Sequence, residues 1–405
     1  MVLFGSTREH SYDPNLVPTG SRILNRSSTV SRTLSTDLRK MEGTVDLQPL
    51  FFKLTFDTTM FLLFGDSVSA LEWGDVAGEE SEFAQAFNLA QDYLAHRGRL
   101  GQFYWLLNDR AFREACRKCH CFVDEAVEKA LLTSAKIQEV DSTEKRGEYV
   151  FIEALAQQSQ HRKVLRDQCF NLLLAGRDTT GCCLSWTFRL LSRHQRVLGK
   201  LRSEIENVCG LGFDSEPPTR DQLKQMAYPS LVIKEGLNPA PSPSFLTPRL
   251  ILDKHILIIE GSYSATFISF CAEAIRMTTL PVGGGPDGKS PILVRPGEAV
   301  GYCVYAMHRR KDLYGDDAEE FRPERWEGDK LKDVGWAYLP FNAGPRLCLG
   351  RKKLSTTSKF YSFIWFTSSL TLLFRGVRTA GSLLYCVSVD PGLSSHRNSG
   401  VRVPC

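Results

Sequence analysis

Near the end of the chain, residues 341–350 read FNAGPRLCLG, with Phe341, Gly344, Arg346 and Gly350 spaced around a single sulfur, Cys348. A cysteine binds a metal as its thiolate, which nearby backbone N–H groups and the positive end of a following helix stabilise. Glycines let the backbone turn tightly and approach a flat group without a Cβ clash. The arginine can fork onto a carboxylate, and the phenylalanine can keep water off the sulfur. The plainer alternative is a buried cysteine in a glycine-containing turn. A second constellation, AGRDTT at 175–180, sets a glycine, an acid and two threonines in the middle of a helical pattern. A glycine there costs about 1 kcal/mol against alanine, so Gly176 requires the close approach of another group. The threonine pair can equally bond back to helix carbonyls. A third stretch, EFRPERW at 320–326, reads as a charged turn with an aromatic anchor.

The elements that must hold these residues are mostly helical. Apolar residues recur at three- and four-residue steps through LQPLFFKLTFDTTMFLLFG, SEFAQAFNLAQDYLAHRG and FREACRKCHCFVDEAVEKALL. A long helix is expected from Val164 to Leu191, with Leu165, Cys169, Leu172, Gly176, Thr179, Cys183 and Thr187 along one stripe. After residue 271, short Val/Ile/Tyr runs punctuated by Gly and Pro predict a small sheet. Residues 1–45 are Ser/Thr/Arg-rich and read as a poorly ordered lead, with one domain over 46–405. Residues 238–270, with four early prolines, read as an atypical insert, and the tail after 351 is unfamiliar.

Across the whole chain 42% of the 405 residues are hydrophobic and 24% charged, a globular composition that excludes disorder throughout. The net charge of +4 comes from interleaved signs, which argues against nucleic acid as a bulk partner. Twelve cysteines without a secretory leader point to thiols of a reducing compartment. The N-terminus carries no apolar stretch of spanning length. The run Phe360–Phe374 is short for a bilayer and reads as buried helix or strand, with surface attachment to a membrane left open.

The cysteine loop, AGRDTT and FRPERW together resemble the haem-thiolate monooxygenases, the cytochrome P450 family. Residues 48–237 and 271–351 carry the likeness, and DLQPLFFKLTFDTTMFLLFGDSV with TTLPVGGGPDGKSPILVRPGEAVGYCVYAMHRRKDLYG resembles the fungal branch that hydroxylates n-alkanes and fatty acids. The resemblance implies a mainly α fold with a small β-sheet, incomplete at both termini, and haem b (iron protoporphyrin IX) as cofactor. Cys348 is then the axial ligand, Arg346 holds a propionate, Phe341 covers the sulfur, and Gly344 and Gly350 admit the macrocycle. Gly176 would admit dioxygen, Thr179 and Asp178 would handle oxygen and protons, and Glu235 and Arg325 would belong to a Glu–Arg–Arg network. An NADPH-dependent P450 reductase would supply electrons, docking on Arg346, Arg351, Lys352 and Lys353. Substrates would be hydrophobic small molecules, with no nucleic acid partner. Family members sit on the endoplasmic reticulum membrane; lacking the anchor segment, this chain is expected in the cytosol or in peripheral contact with a membrane.

The pattern departs from the family where YPSLVIKEGLN should end in Glu-x-x-Arg but places Asn238 at the arginine position. Glu235 and Arg325 are therefore expected to lose their bridging partner, at a cost of roughly 3–5 kcal/mol. Glu273 and Arg276, in EAIR, have the right spacing but fall in the strand segment. The expectation is a truncated or mis-spliced product, with an inactive relic that binds haem poorly or not at all as the alternative reading. GGGPDGKS at 283–290 fits a phosphate-loop pattern, but the flanking prolines predict a glycine-rich hairpin and make a nucleotidase the remote alternative. CRKCH at 116–120 fits covalent haem attachment or, with Cys121, zinc; a helix with one apolar cysteine face is expected instead.

Overall fold

A computed structural model describes residues 44–65, 79–139, 150–210, 218–238, 270–342, 347–348, 350, 373–379 and 382–388. The chain divides into two units, residues 1–233 with 349–405, and residues 234–348.

In the first unit, strand β1 (Thr44–Asp46) leads into α1 (Leu47–Phe64), followed by α2 (Glu79–Arg99), α3 (Arg110–Glu139), α4 (Phe151–Gln158), α5 (Arg162–Arg193), α6 (Gln195–Cys209) and α7 (Arg220–Gln225). α1 is apolar nearly all round and correspondingly buried at Phe51, Leu54, Met60 and Leu63. Its buried threonines are satisfied locally: Thr58 Oγ1 donates to the Leu54 carbonyl at 3.0 Å and Thr59 Oγ1 to the Thr55 carbonyl at 2.7 Å. α1, α2 and α3 meet through rings, with Phe83 stacked on Phe122 at 4.1 Å between centroids and on Phe56 at 6.0 Å. Leu165, Cys169 and Leu173 of α5 close this core from the other side.

α5 runs two residues beyond the expected helix at each end. His161 caps it, its Nδ1 accepting the Val164 N–H. The buried stripe differs from the expected one: Leu173, Asp178 and Gly181 face inward, Leu172 is half-buried and Thr179 is exposed. Two glycines let α1 lie close to α5. A Cβ on Gly176 would come within 2.8 Å of Thr59 Oγ1, and one on Gly181 within 3.1 Å of the Phe52 ring. The group that approaches Gly176 is thus a threonine of the neighbouring helix. Glu204 on α6 receives the Ala227 and Tyr228 N–H groups at 2.9 and 2.8 Å, capping α8 (Tyr228–Gly236), whose last residues belong to the second unit. Late in the chain, β6 (Leu373–Thr379) and β7 (Ser382–Ser388) pair antiparallel, and β7 also pairs with β1, giving the order β1-β7-β6.

In the second unit, β2 (Phe270–Glu273) pairs antiparallel with β5 (Ala299–Tyr302), and β3 (Thr278–Gly284) with β4 (Ser290–Val294). GGGPDGKS forms the turn of this hairpin: Gly283 N–H donates to the Gly288 carbonyl at 2.8 Å, with Gly285 and Gly288 at positive φ. Ser290 begins a strand, so no helix follows to cradle phosphate. Glu273 ends β2 and Arg276 lies in the bend beyond it, outside any helix. The short α9 (Val304–Met307) and α10 (Lys311–Tyr314) precede a 3-10 turn at Pro323–Trp326.

CRKCH lies wholly within α3, with Cys119 buried, Cys116 half-buried and Cys121 exposed, so its sulfurs are spread around the helix. Among the described residues no group of three or more His, Cys, Asp or Glu could hold a metal ion, and no helix is long and apolar enough to cross a membrane. The lead (1–43), most of the proline-rich segment (239–269), Gly344, Arg346, Arg351, Lys352, Lys353 and most of Phe360–Phe374 lie outside the described residues.

Candidate active site

The cysteine loop is built by main-chain closure. Cys348 N–H donates to the Phe341 carbonyl at 3.0 Å, and Asn342 takes the left-handed conformation, φ 58°, that asparagine tolerates better than most residues. Tyr302, at the end of β5, donates its hydroxyl to Asn342 Oδ1 at 2.9 Å and ties the turn to the sheet. Cys348 is exposed, while Phe341 and Gly350 are half-buried. Phe341 and Cys348 are thus tied through the main chain. Cys348 is an exposed cysteine joined through its N–H to Phe341, whose neighbour Asn342 is tied to β5.

Behind this loop in sequence, Glu235 and Arg325 form a sealed pair with side chains 1% exposed each, Nε to Oε1 2.9 Å. The pair itself persists without an arginine at 238. The second carboxylate oxygen is taken by Trp326 Nε1 at 2.7 Å, and the Arg322 backbone N–H adds a bond to Oε1 at 2.9 Å. Arg325 spends its other donors on the Tyr314, Asp317 and Glu320 carbonyls and on Asp317 Oδ1, at 2.6–3.3 Å. Trp326 is thus a second side-chain donor to Glu235, while position 238 holds an asparagine. Burial pushes the Glu235 carboxyl upward, with Arg325 first among the groups pulling it back. Asn238 is itself buried, its N–H donating to the Glu235 carbonyl at 3.0 Å, and its Oδ1 has no hydrogen-bond partner among the described residues.

His308 is fully buried nearby and was not signalled by any motif. Its Nε2 accepts the Leu339 N–H at 3.0 Å, and its ring stacks on Tyr338 with centroids 5.1 Å apart. Burial first, and then the Arg309 charge, lower its pKa to about 4, so the ring is neutral at pH 7.

On α5 the two residues assigned to oxygen and proton handling point in different directions. Thr179 lies on the exposed face with Leu174 and Ala175, and its hydroxyl donates to the Ala175 carbonyl at 2.6 Å. Asp178 faces inward, where Gln91 Nε2 of α2 donates to its Oδ2 and Arg177 Nε stands 3.9 Å from Oδ1. Arg177 donates to Gln91 Oε1 at 2.6 Å and to Asn88 Oδ1, and its guanidinium lies 5.4–5.7 Å from the centroids of Phe52, Phe56 and Phe87. Burial raises the Asp178 pKa against the opposing pull of Arg177 and Gln91. Sequence reading found Gly176, Asp178 and Thr179 but not Arg177, Asn88 or Gln91. An arginine beside the acid inside an apolar stretch was the available signal; α2 offered none.

The Cytochrome P450 family model matches residues 12–257 and 288–363. The chain belongs to the cytochrome P450 family. A Cytochrome P450 of Arthroderma benhamiae is 56% identical over 310 residues, covering 76% of this chain and 57% of the relative. Cytochrome P450 52A5 of Candida maltosa is 42% identical over 336 residues, and Cytochrome P450 52A1 of Candida tropicalis 41% over 334, each covering 80% of this chain. They are covered to 58% and 56% of their own length, so the chain spans somewhat over half of the curated relatives it matches. The fold is that of a solved cytochrome P450DA haem domain, with TM-score 0.65, 18% identity, and coverage of 91% of this chain and 71% of that one.

P450 family proteins bind haem b. The P450 loop described here fits that group: a porphyrin brings four nitrogens of its own and asks the protein for one axial donor, and Cys348 offers one exposed sulfur on a fixed turn.

Proposed function

We propose that the protein is a haem-thiolate monooxygenase that inserts one atom of dioxygen into long-chain alkanes or fatty acids, with electrons from an NADPH-dependent flavoprotein reductase. The observation that carries the proposal is the outward-facing Cys348 on a turn closed by its own N–H to the Phe341 carbonyl. When bound, haem supplies dioxygen reduction and C–H oxidation, and thiolate donation favours O–O cleavage over reversible oxygen binding.

This chain's own residues divide the remaining work. Cys348 would hold the haem through its sulfur. Thr179, exposed with its hydroxyl on the Ala175 carbonyl, presents an oxygen lone pair and a movable proton on the open face of α5. Asp178, one residue away but buried, is the titratable group beside it, its pKa raised by burial. The substrate class follows the resemblance to the fungal branch. The basic residues Arg346, Arg351, Lys352 and Lys353 form the proposed reductase face, and the proposed location is the cytosol or the surface of the endoplasmic reticulum membrane.

The deciding measurement is the absorption difference spectrum of the reduced, carbon-monoxide-treated protein, wild type against Cys348→Ser. The thiolate signature in wild type and its loss in the variant are expected; an identical spectrum in both removes Cys348 as ligand. Laurate or alkane turnover with added reductase then tests the substrate class. A second reading, haem binding without turnover, is favoured by Asn238 at the arginine position with its buried oxygen unbonded. The thiolate signature without product in that assay would select it.

A further inference from the structure

The side chain that fixes Asp178 comes from another helix. Gln91 of α2 uses both ends of its amide: Nε2 donates to Asp178 Oδ2, and Oε1 accepts from Arg177 Nη1 at 2.6 Å. An amide bonded at both ends has one orientation, since flipping it would set its N–H groups against the guanidinium and its oxygen against the carboxylate. Arg177 cannot replace it. Its Nη2 is engaged by Asn88, one turn earlier on α2, and its planar head lies among Phe52, Phe56 and Phe87. Its buried Nε has no hydrogen-bond partner among the described residues and stays 3.9 Å from Asp178. The acid thus sees a cation but is bonded by a neutral amide.

We propose that Gln91 is a positioning residue for Asp178: its clamped amide holds the carboxyl group turned toward α2, and so sets how readily Asp178 takes up and releases a proton. The inference rests on the role given to Asp178 above. The groups packed around this carboxylate are few. Its own helix carries Arg177 and, one turn on, the buried Cys182 thiol, pushed up by burial and held neutral. α2 contributes the uncharged Asn88 and Gln91, and α1 contributes Phe52 and Phe56 and carries one buried carboxylate, Asp57. A donor removed from a charged carboxylate in such surroundings raises its pKa, and a second carboxylate put in the donor's place raises it further.

The test uses the full chain with Gln91→Met and Gln91→Glu, and Asp178→Asn to assign the signal. The readout is the infrared carboxylic-acid band of Asp178 followed against pH, which needs no turnover. The midpoint should rise by about one pH unit in Gln91→Met and by more in Gln91→Glu. Either folded variant titrating as wild type overturns the clamp. Should Gln91→Met fail to accumulate, Gln91→Glu decides alone, since it keeps the size and the Arg177 bond. In reconstituted turnover the pH profile should move in the same direction, with KM within about twofold. If Asp178→Asn keeps wild-type turnover, the role of Asp178 fails, while the infrared midpoints still judge Gln91 separately.

Discussion

Asp178 and Glu235 are both buried carboxylates beside an arginine, and both are pushed up by burial, yet they are held in opposite ways. Glu235 has both oxygens filled by Arg325, Trp326 and the Arg322 N–H, with Arg325 and Trp326 themselves buried. Among the described residues Asp178 receives one direct side-chain bond, from Gln91, while its neighbouring guanidinium is drawn away by an amide, an asparagine and three rings. A carboxylate with both oxygens engaged by three donors cannot trade protons without breaking several bonds at once. One with a single replaceable donor can. The first arrangement suits a fixed joint and the second a proton-handling group, although the same residue types build both.

The widest gap should open on removing each partner. Arg325→Ala leaves Glu235 charged, buried and uncompensated, and should cost roughly 3–5 kcal/mol in urea unfolding. Replacing the pair together, Glu235→Gln with Arg325→Met, should cost far less; equal losses would mean that the pair is not the joint.

Acid should find the Glu235 unit through its neutral histidine. With an unfolded pKa near 6.5 and a folded one of about 4, His308 binds more protons when unfolded anywhere between those values. Its contribution is therefore complete above about pH 6.5 and falls as pH drops through about 4, a loss of about 3 kcal/mol across that window. Unfolding of His308→Gln, which keeps an acceptor for the Leu339 N–H, should lack this part of the acid sensitivity; an unchanged pH slope would refute it.

Asp178→Asn is expected to invert the Arg325 result. Stability should stay within about 1 kcal/mol because an isosteric amide can keep the Gln91 bond, while turnover of laurate falls about 100-fold. A variant that unfolds while its residual turnover is normal would place Asp178 among the joints. Trp326→Phe removes one donor to Glu235 and should lower the thermal midpoint by an amount equivalent to about 2 kcal/mol. Smallest of all, Gly176→Ala should cost about 1 kcal/mol, because crowding against Thr59 outweighs the better helix propensity of alanine. Adding Thr59→Ala should recover most of it, as read by the same melting curves.

Much of this molecule was legible in one dimension where chemistry is local. Helical periodicity located α1, α2 and α5 to within a few residues and found α3 but stopped seven residues short of its end, because buried faces repeat every three or four positions. Prolines on both sides of GGGPDGKS ruled out the helix that a phosphate loop needs. On α5 Leu165, Cys169, Cys183 and Thr187 are buried as expected and Thr179 is not, while Gly176 and Asp178 meet Thr59 and Gln91, which lie 117 and 87 residues away in sequence. The missing arginine at 238 was read as a broken network because no local rule reveals that Trp326 can reach the same carboxylate.

Sequence alone determined the family and the mainly helical architecture, and marked out the cysteine loop, since each depends on residue types at fixed short spacing. Tertiary structure decided which donor serves Glu235, why Gly176 has no side chain, and which helix holds Asp178. Those answers depend on which atoms from distant segments come within three ångströms of each other, and only the packed chain sets that distance.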